Sequence, residues 1–135
     1  MRNVFASCLC LAALNAPAAP FQELLGQYET QARQENPAFN GFSAARGKRF
    51  YEEKRVASSG RQSGCFDCHS PNPAQPGKTH ANKIIDPMAV SANSKRFTDL
   101  QKTEKWFRRN CADLIGRACT AQEKGDFIEF LAHYK

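Results

Sequence analysis

Cys65, Cys68 and His69 stand in C-x-x-C-H order in the run Cys65-Phe66-Asp67-Cys68-His69. Two thiols at this spacing can add to the two vinyl groups of one haem, forming thioether links. The imidazole beside the second thiol can then reach the iron as its proximal ligand. Two other chemistries use the same residue types. A thioredoxin-like C-x-x-C needs a βαβ pattern around it, and none is legible. A zinc site needs a second Cys/His pair at metal spacing, which Cys111 and Cys119, eight apart, do not provide. The motif predicts one covalent haem c, held by Cys65 and Cys68 with His69 on the iron.

The chain opens as an export signal would. Arg2 supplies a positive start, Val4 to Leu14 form a short uncharged apolar run, and Ala16-Pro17-Ala18 offers an A-x-A cleavage site. The apolar run is too short to span a bilayer, and no later segment is apolar enough to do so. We expect a signal peptide over residues 1–18, cleaved near Ala18/Ala19, and one domain over 19–135, with Cys8 and Cys10 lost with the leader. Export fits haem c, which is attached outside the bacterial cytoplasm, so the expected location is the periplasm. Four cysteines remain, and the two outside the motif are free to pair in an oxidising compartment.

The net charge is +6. The basic residues are scattered except for Lys105, Arg108 and Arg109, and there is no nucleic-acid motif. The cluster suits an acidic redox partner or the haem propionates better than nucleic acid.

The elements that must position these groups read as helices. Phe21, Leu24, Leu25 and Tyr28 recur at helical spacing until Asn36-Pro37. Ser43 is placed to cap a second helix through Phe50 and Tyr51. Residues 57–64 form a polar loop, and Pro71, Pro73, Pro76 and Gly77 make 70–80 another, with a backbone carbonyl expected to orient the free nitrogen of His69. Thr98-Asp99-Leu100-Gln101 reads as a capping box opening a helix through Trp106, Phe107 and Asn110. Thr120-Ala121-Gln122-Glu123 opens the last helix, with Phe127, Ile128, Phe130 and Leu131 as its apolar face. No strand is convincing.

This order of parts resembles a class I cytochrome c: all-α, one haem, with early and last helices crossing closely. Gly47 and Tyr51, with Phe127 and Phe130, resemble the contact positions of that crossing. The sixth iron ligand is less legible. Met88 lies in Ile85-Asp86-Pro87-Met88-Ala89, a short excursion from His69, and reads as an apolar wall residue. His80 is nearer still, and His133 falls in the last helix as a surface residue. Asn110, by its type, reads as a helix-end cap.

A closer resemblance is to the sphaeroides haem protein family. It is carried by Arg96-Phe97-Thr98-Asp99, the run Glu104-Lys105-Trp106-Phe107-Arg108-Arg109-Asn110-Cys111, Gly116-Arg117-Ala118-Cys119-Thr120 and Glu123-Lys124-Gly125-Asp126, together with Gly41-Phe42-Ser43-Ala44 and the haem motif. It covers nearly all of the expected mature chain, and Lys105 to Thr120 is its most specific part. The resemblance implies a monohaem, oxygen-binding class I cytochrome. It implies Asn110 as sixth ligand and a Cys111–Cys119 disulfide. It further implies a multihaem, dihaem-type cytochrome as electron donor, and O2, NO or another diatomic as the molecule bound or converted. The alternative is a plain electron-transfer cytochrome with His69/Met88 ligation.

Overall fold

The computed structural model describes residues 20–135. The expected leader, with Cys8 and Cys10, lies outside the described residues. Five helices carry the fold: α1 (Pro20–Glu35), α2 (Ala44–Glu52), α3 (Cys65–His69), α4 (Leu100–Ile115) and α5 (Ala121–Ala132). Four two-residue strands make two antiparallel hairpins, β1 (Arg55–Val56) with β2 (Gln62–Ser63), and β3 (Gly77–Lys78) with β4 (Ile84–Ile85). The loops expected at 57–64 and 70–80 are thus tied into short ladders. Two residues per strand are too few for a two-fold apolar pattern, so these strands are invisible to periodicity. No helix among the described residues is long and apolar enough to cross a membrane.

α5 is the centre of the packing. Its Phe127, Ile128, Phe130 and Leu131 are all buried, as the periodicity predicts. α2 crosses it at Gly47, where a Cβ would lie 1.9 Å from the Asp126 carbonyl oxygen and 2.8 Å from the Phe130 Cβ. Only a residue without a side chain permits that approach. Tyr51, one turn on, packs its ring on Phe127 and Phe130. Asp126 locks the crossing: it accepts from the Ser43 N–H at 2.7 Å and from Arg46 Nε at 2.6 Å. α1 lies on α5 through Leu24 and Tyr28.

The helix boundaries follow local chemistry. Ser43 caps α2, accepting from the Arg46 N–H. Thr120 and Glu123 form the capping box of α5, each bonding the other's backbone N–H. The box expected at Thr98 is displaced. Asp99 is the N-cap of α4 and accepts from the Lys102 N–H at 2.9 Å, while the Thr98 hydroxyl donates to the Lys95 carbonyl. The carboxylate wins the cap because it is the stronger acceptor beside the partial positive charge of the helix start. α4 ends at Gly116, whose φ of +69° is the left-handed conformation that glycine adopts at no steric cost.

Candidate haem site

α3 is a single short helix holding all three residues of the C-x-x-C-H motif. Its start is fixed by Asp67, whose carboxylate accepts from the Gly64 N–H at 2.9 Å. Cys65 and Cys68 are free thiols, both half-buried. Burial pushes the Cys65 thiol up to about 11. A redox C-x-x-C needs the opposite, a thiol lowered towards neutrality, so the environment of Cys65 disfavours that chemistry. Burial, reinforced by the Arg96 cation, pushes the His69 imidazole down to about 4. The ring is therefore neutral, the form that binds a metal.

His69 Nδ1 is buried and has no hydrogen-bond partner among the described residues. The loop carbonyl expected to meet it does not do so. The Pro73 carbonyl instead accepts from the N–H groups of both Met88 and Ala89, at 2.8 and 2.9 Å. The backbone beside His69 is held from elsewhere: the Tyr51 hydroxyl contacts the carbonyls of His69 and Ser70. Gly77 on β3 lies so close that a Cβ would sit 2.0 Å from the Cys68 carbonyl oxygen. Neither Tyr51 nor Gly77 is flagged by the motif, because both contacts form only on folding. Two free thiols, a neutral imidazole with an orphaned nitrogen and a backbone too tightly packed to shift fit a covalently held haem.

α4 carries the other candidates. Asn110 is half-buried, and its side-chain amide makes no hydrogen bond with the described residues. It is not a cap, because α4 runs on to Ile115 and the C-cap is Gly116. Cys111, the next residue, is buried and disulfide-bonded to Cys119, with Cα atoms 5.7 Å apart. Trp106, one turn before Asn110, is 45 % exposed, an unusual state for the chain's single tryptophan. The Arg109 guanidinium lies 5.9 Å from the centre of that ring. Lys105, Arg108 and Arg109 are exposed on the same helix.

The histidines and methionine fall elsewhere. Met88 is 7 % exposed and belongs to the core cluster with Phe97 and Leu131. His80 is exposed in the β3–β4 turn. His133 is exposed and follows α5 as its C-cap, with Nδ1 3.0 Å from the Glu129 carbonyl.

A further polar cluster has no sequence signature. The Tyr28 hydroxyl donates to Glu104, and Lys124 donates to both Glu104 oxygens at 3.0 and 2.9 Å. It ties α1 to α4 across 76 residues of sequence and α4 to α5 across a further 20. Burial alone would raise the Glu104 pKa, but the bonds from Tyr28 and Lys124 outweigh it and hold the carboxyl below its usual range.

The chain as a whole is similar to known proteins. Residues 37–131 match the family described as a domain of unknown function, DUF1924. Cytochrome c'' of Methylophilus methylotrophus is 38 % identical over 111 residues, covering 82 % of this chain and 77 % of the relative. The cytochrome c-type protein SHP of Cereibacter sphaeroides is 35 % identical over 129 residues, covering 96 % and 95 %. The crystal structure of oxidised cytochrome c'' superimposes with a TM-score of 0.78 at 36 % identity, covering 86 % of this chain and 95 % of that one. Oxidised SHP, described as an oxygen-binding cytochrome c, superimposes at 0.75 and 34 % identity, covering 83 % and 95 %. The solution structure of cytochrome c'', described as bearing on haem-ligand detachment, covers 85 % and 94 % at 0.76 and 37 %. With its helical cytochrome fold, its single C-x-x-C-H motif and these relatives, the chain belongs to the family of cytochrome c'' and SHP and carries one covalently bound haem c.

Proposed function

We propose that this protein is an exported cytochrome that takes electrons from a multihaem, dihaem-type cytochrome and binds or converts O2 or NO. In this reading residues 1–18 are a cleaved leader and the protein works in the periplasm. Cys65 and Cys68 hold the haem through thioether links, His69 is the proximal ligand, and Asn110 is a sixth ligand that leaves on reduction. The haem, when bound, supplies an iron that changes oxidation state and coordinates small diatomic molecules.

The observation that carries the proposal is Asn110, half-buried with an unengaged amide in the body of α4, one residue before a disulfide. An amide oxygen is a hard, weak donor. It holds ferric iron better than ferrous, and that difference in affinity is the bias a redox-driven change needs. Once released, the Asn110 amide N–H groups are free to donate to a diatomic ligand. The oxygen binding described for SHP supports a haem that binds a diatomic, and the ligand detachment described for cytochrome c'' supports a haem ligand that can leave. Lys105, Arg108 and Arg109, exposed around the same turn, suit an acidic electron donor.

The test is a pair of substitutions in the haem-loaded protein. Asn110→Ala changes the ferric spin state and leaves haem attachment intact, and Met88→Leu leaves the ferric spectrum as it was. The reverse outcome would establish the electron shuttle with His69/Met88 ligation.

A further inference from the structure

A metal-bound imidazole usually donates its second N–H to a carboxylate, a carbonyl or water, and this bond fixes the angle of the ring. His69 has no such partner among the described residues: Nδ1 is buried and unmatched. The main chain on either side is held instead. Tyr51, fully buried on α2, places its hydroxyl 2.6 Å from the Ser70 carbonyl and 3.0 Å from the His69 carbonyl, its one proton shared between the two acceptors. These lie at the end of α3, where carbonyls have no partner within the helix.

Ser70 has φ +72° and ψ 142°. A residue with a Cβ keeps such a conformation only where its surroundings over-determine it. The surroundings here are the Tyr51 hydroxyl on the Ser70 carbonyl and, just before it, the bare backbone of Gly77 packed against Cys68 and His69. A Cβ at Gly77 would come within 2.7 Å of the His69 Cα. The end of the haem helix is bonded by a phenol from α2 and packed closely against a glycine from β3.

We propose that Tyr51 is the positioning residue of the proximal histidine. Its hydroxyl, by holding the His69 and Ser70 carbonyls, sets the angle at which the His69 ring meets the haem iron. The proposal rests on His69 ligation as read above. The hydroxyl acts through geometry, and no proton or electron moves through it.

Tyr51→Phe keeps the ring packed on Phe127 and Phe130 and removes only the donor. In the haem-loaded ferrous protein, the iron–histidine stretching band in resonance Raman shifts to lower frequency and broadens. The reduction midpoint rises, because a poorly aimed imidazole stabilises ferric iron less. Adding Ser70→Gly, which takes φ +72° without strain, returns the band towards its original position. Ser43→Ala, which removes only the cap of α2, lowers Tm and leaves band and midpoint unchanged.

A Tyr51→Phe protein that loses Tm but keeps both readouts would make Tyr51 a packing residue and overturn the proposal. A shift that Ser70→Gly does not reverse would overturn the route through the turn. If Tyr51→Phe fails to load haem, Ser70→Gly alone decides: an unchanged band with undiminished Tm supports the strained turn held by Tyr51, and a shifted band with lowered Tm overturns it. If the wild-type ferrous protein proves six-coordinate, the Asn110 reading fails by itself, and the reduction midpoint still decides the role of Tyr51.

Discussion

Cys111 and Cys119 join the last turns of α4 to the start of α5, with Cys119 directly before the α5 N-cap, Thr120. The Ser58 N–H to Asp113 carbonyl bond of 2.8 Å holds the same end of α4. The disulfide therefore fixes the rotation of α4 about its axis where Asn110 sits. Closing an eight-residue separation stabilises the fold by about 2–3 kcal/mol on the chain-entropy account. The double substitution Cys111→Ala/Cys119→Ala should lose about that much in urea unfolding, and its ferric spectrum should become a mixture of spin states.

At Gly47, α2 meets α5 so closely that a Cβ would lie 1.9 Å from the Asp126 carbonyl oxygen. The added methyl of Gly47→Ala has a backbone atom, not a flexible side chain, in its way. The cost should reach the upper end of overpacking, about 3 kcal/mol. Thermal unfolding of the holoprotein checks it, and a Tm within a degree of the original would refute the crossing.

Asp126 is 5 % exposed and its partner Arg46 is 35 % exposed. Asp126→Ala leaves the Ser43 N–H without its acceptor and the Arg46 guanidinium with only the Gly41 carbonyl. The loss should be about 2–4 kcal/mol, less than for a fully buried pair because water reaches Arg46. Arg46→Ala, which strands the buried carboxylate, should destabilise as well, by urea unfolding measured alongside.

Glu104 and Glu123 both ionise below the usual carboxylate value of 4.5. For Glu123 the main cause is the Arg117 bond; for Glu104 the bonds from Tyr28 and Lys124 outweigh burial. A group depressed in the folded state stabilises fully above its unfolded pKa and loses that stabilisation as pH falls through the folded value. Tm should be level, as far as these groups decide it, from pH 7 to about pH 5.5 and fall below about pH 4.5. Glu104→Gln should flatten part of that fall. A slope unchanged by the substitution would show that Glu104 is not coupled to folding.

Thr120→Ala removes the hydroxyl half of the α5 capping box. It should cost about 1 kcal/mol, with little effect on the haem spectrum, because the disulfide still sets Cys111.

The sequence by itself determined the haem chemistry and most of the helices. C-x-x-C-H is a local motif, and the caps at Ser43 and Thr120 and the apolar face of α5 follow from neighbours within a turn or two. Where competition was local but close, as between Thr98 and Asp99 for one cap, spacing alone chose the wrong residue. The short strands escaped because two residues carry no period. Only the tertiary structure decided what long-range contacts decide. It took Asn110 away from a helix end by extending α4 to Ile115, buried Met88 in the core, and left His69 Nδ1 unmatched while giving its carbonyl to Tyr51. It also brought Glu104 to Tyr28 and Lys124. Such contacts join residues 18, 20 or 76 apart. Nothing in the intervening chain encodes them, because they arise only when α1, α2 and α4 each bury their own apolar face around α5.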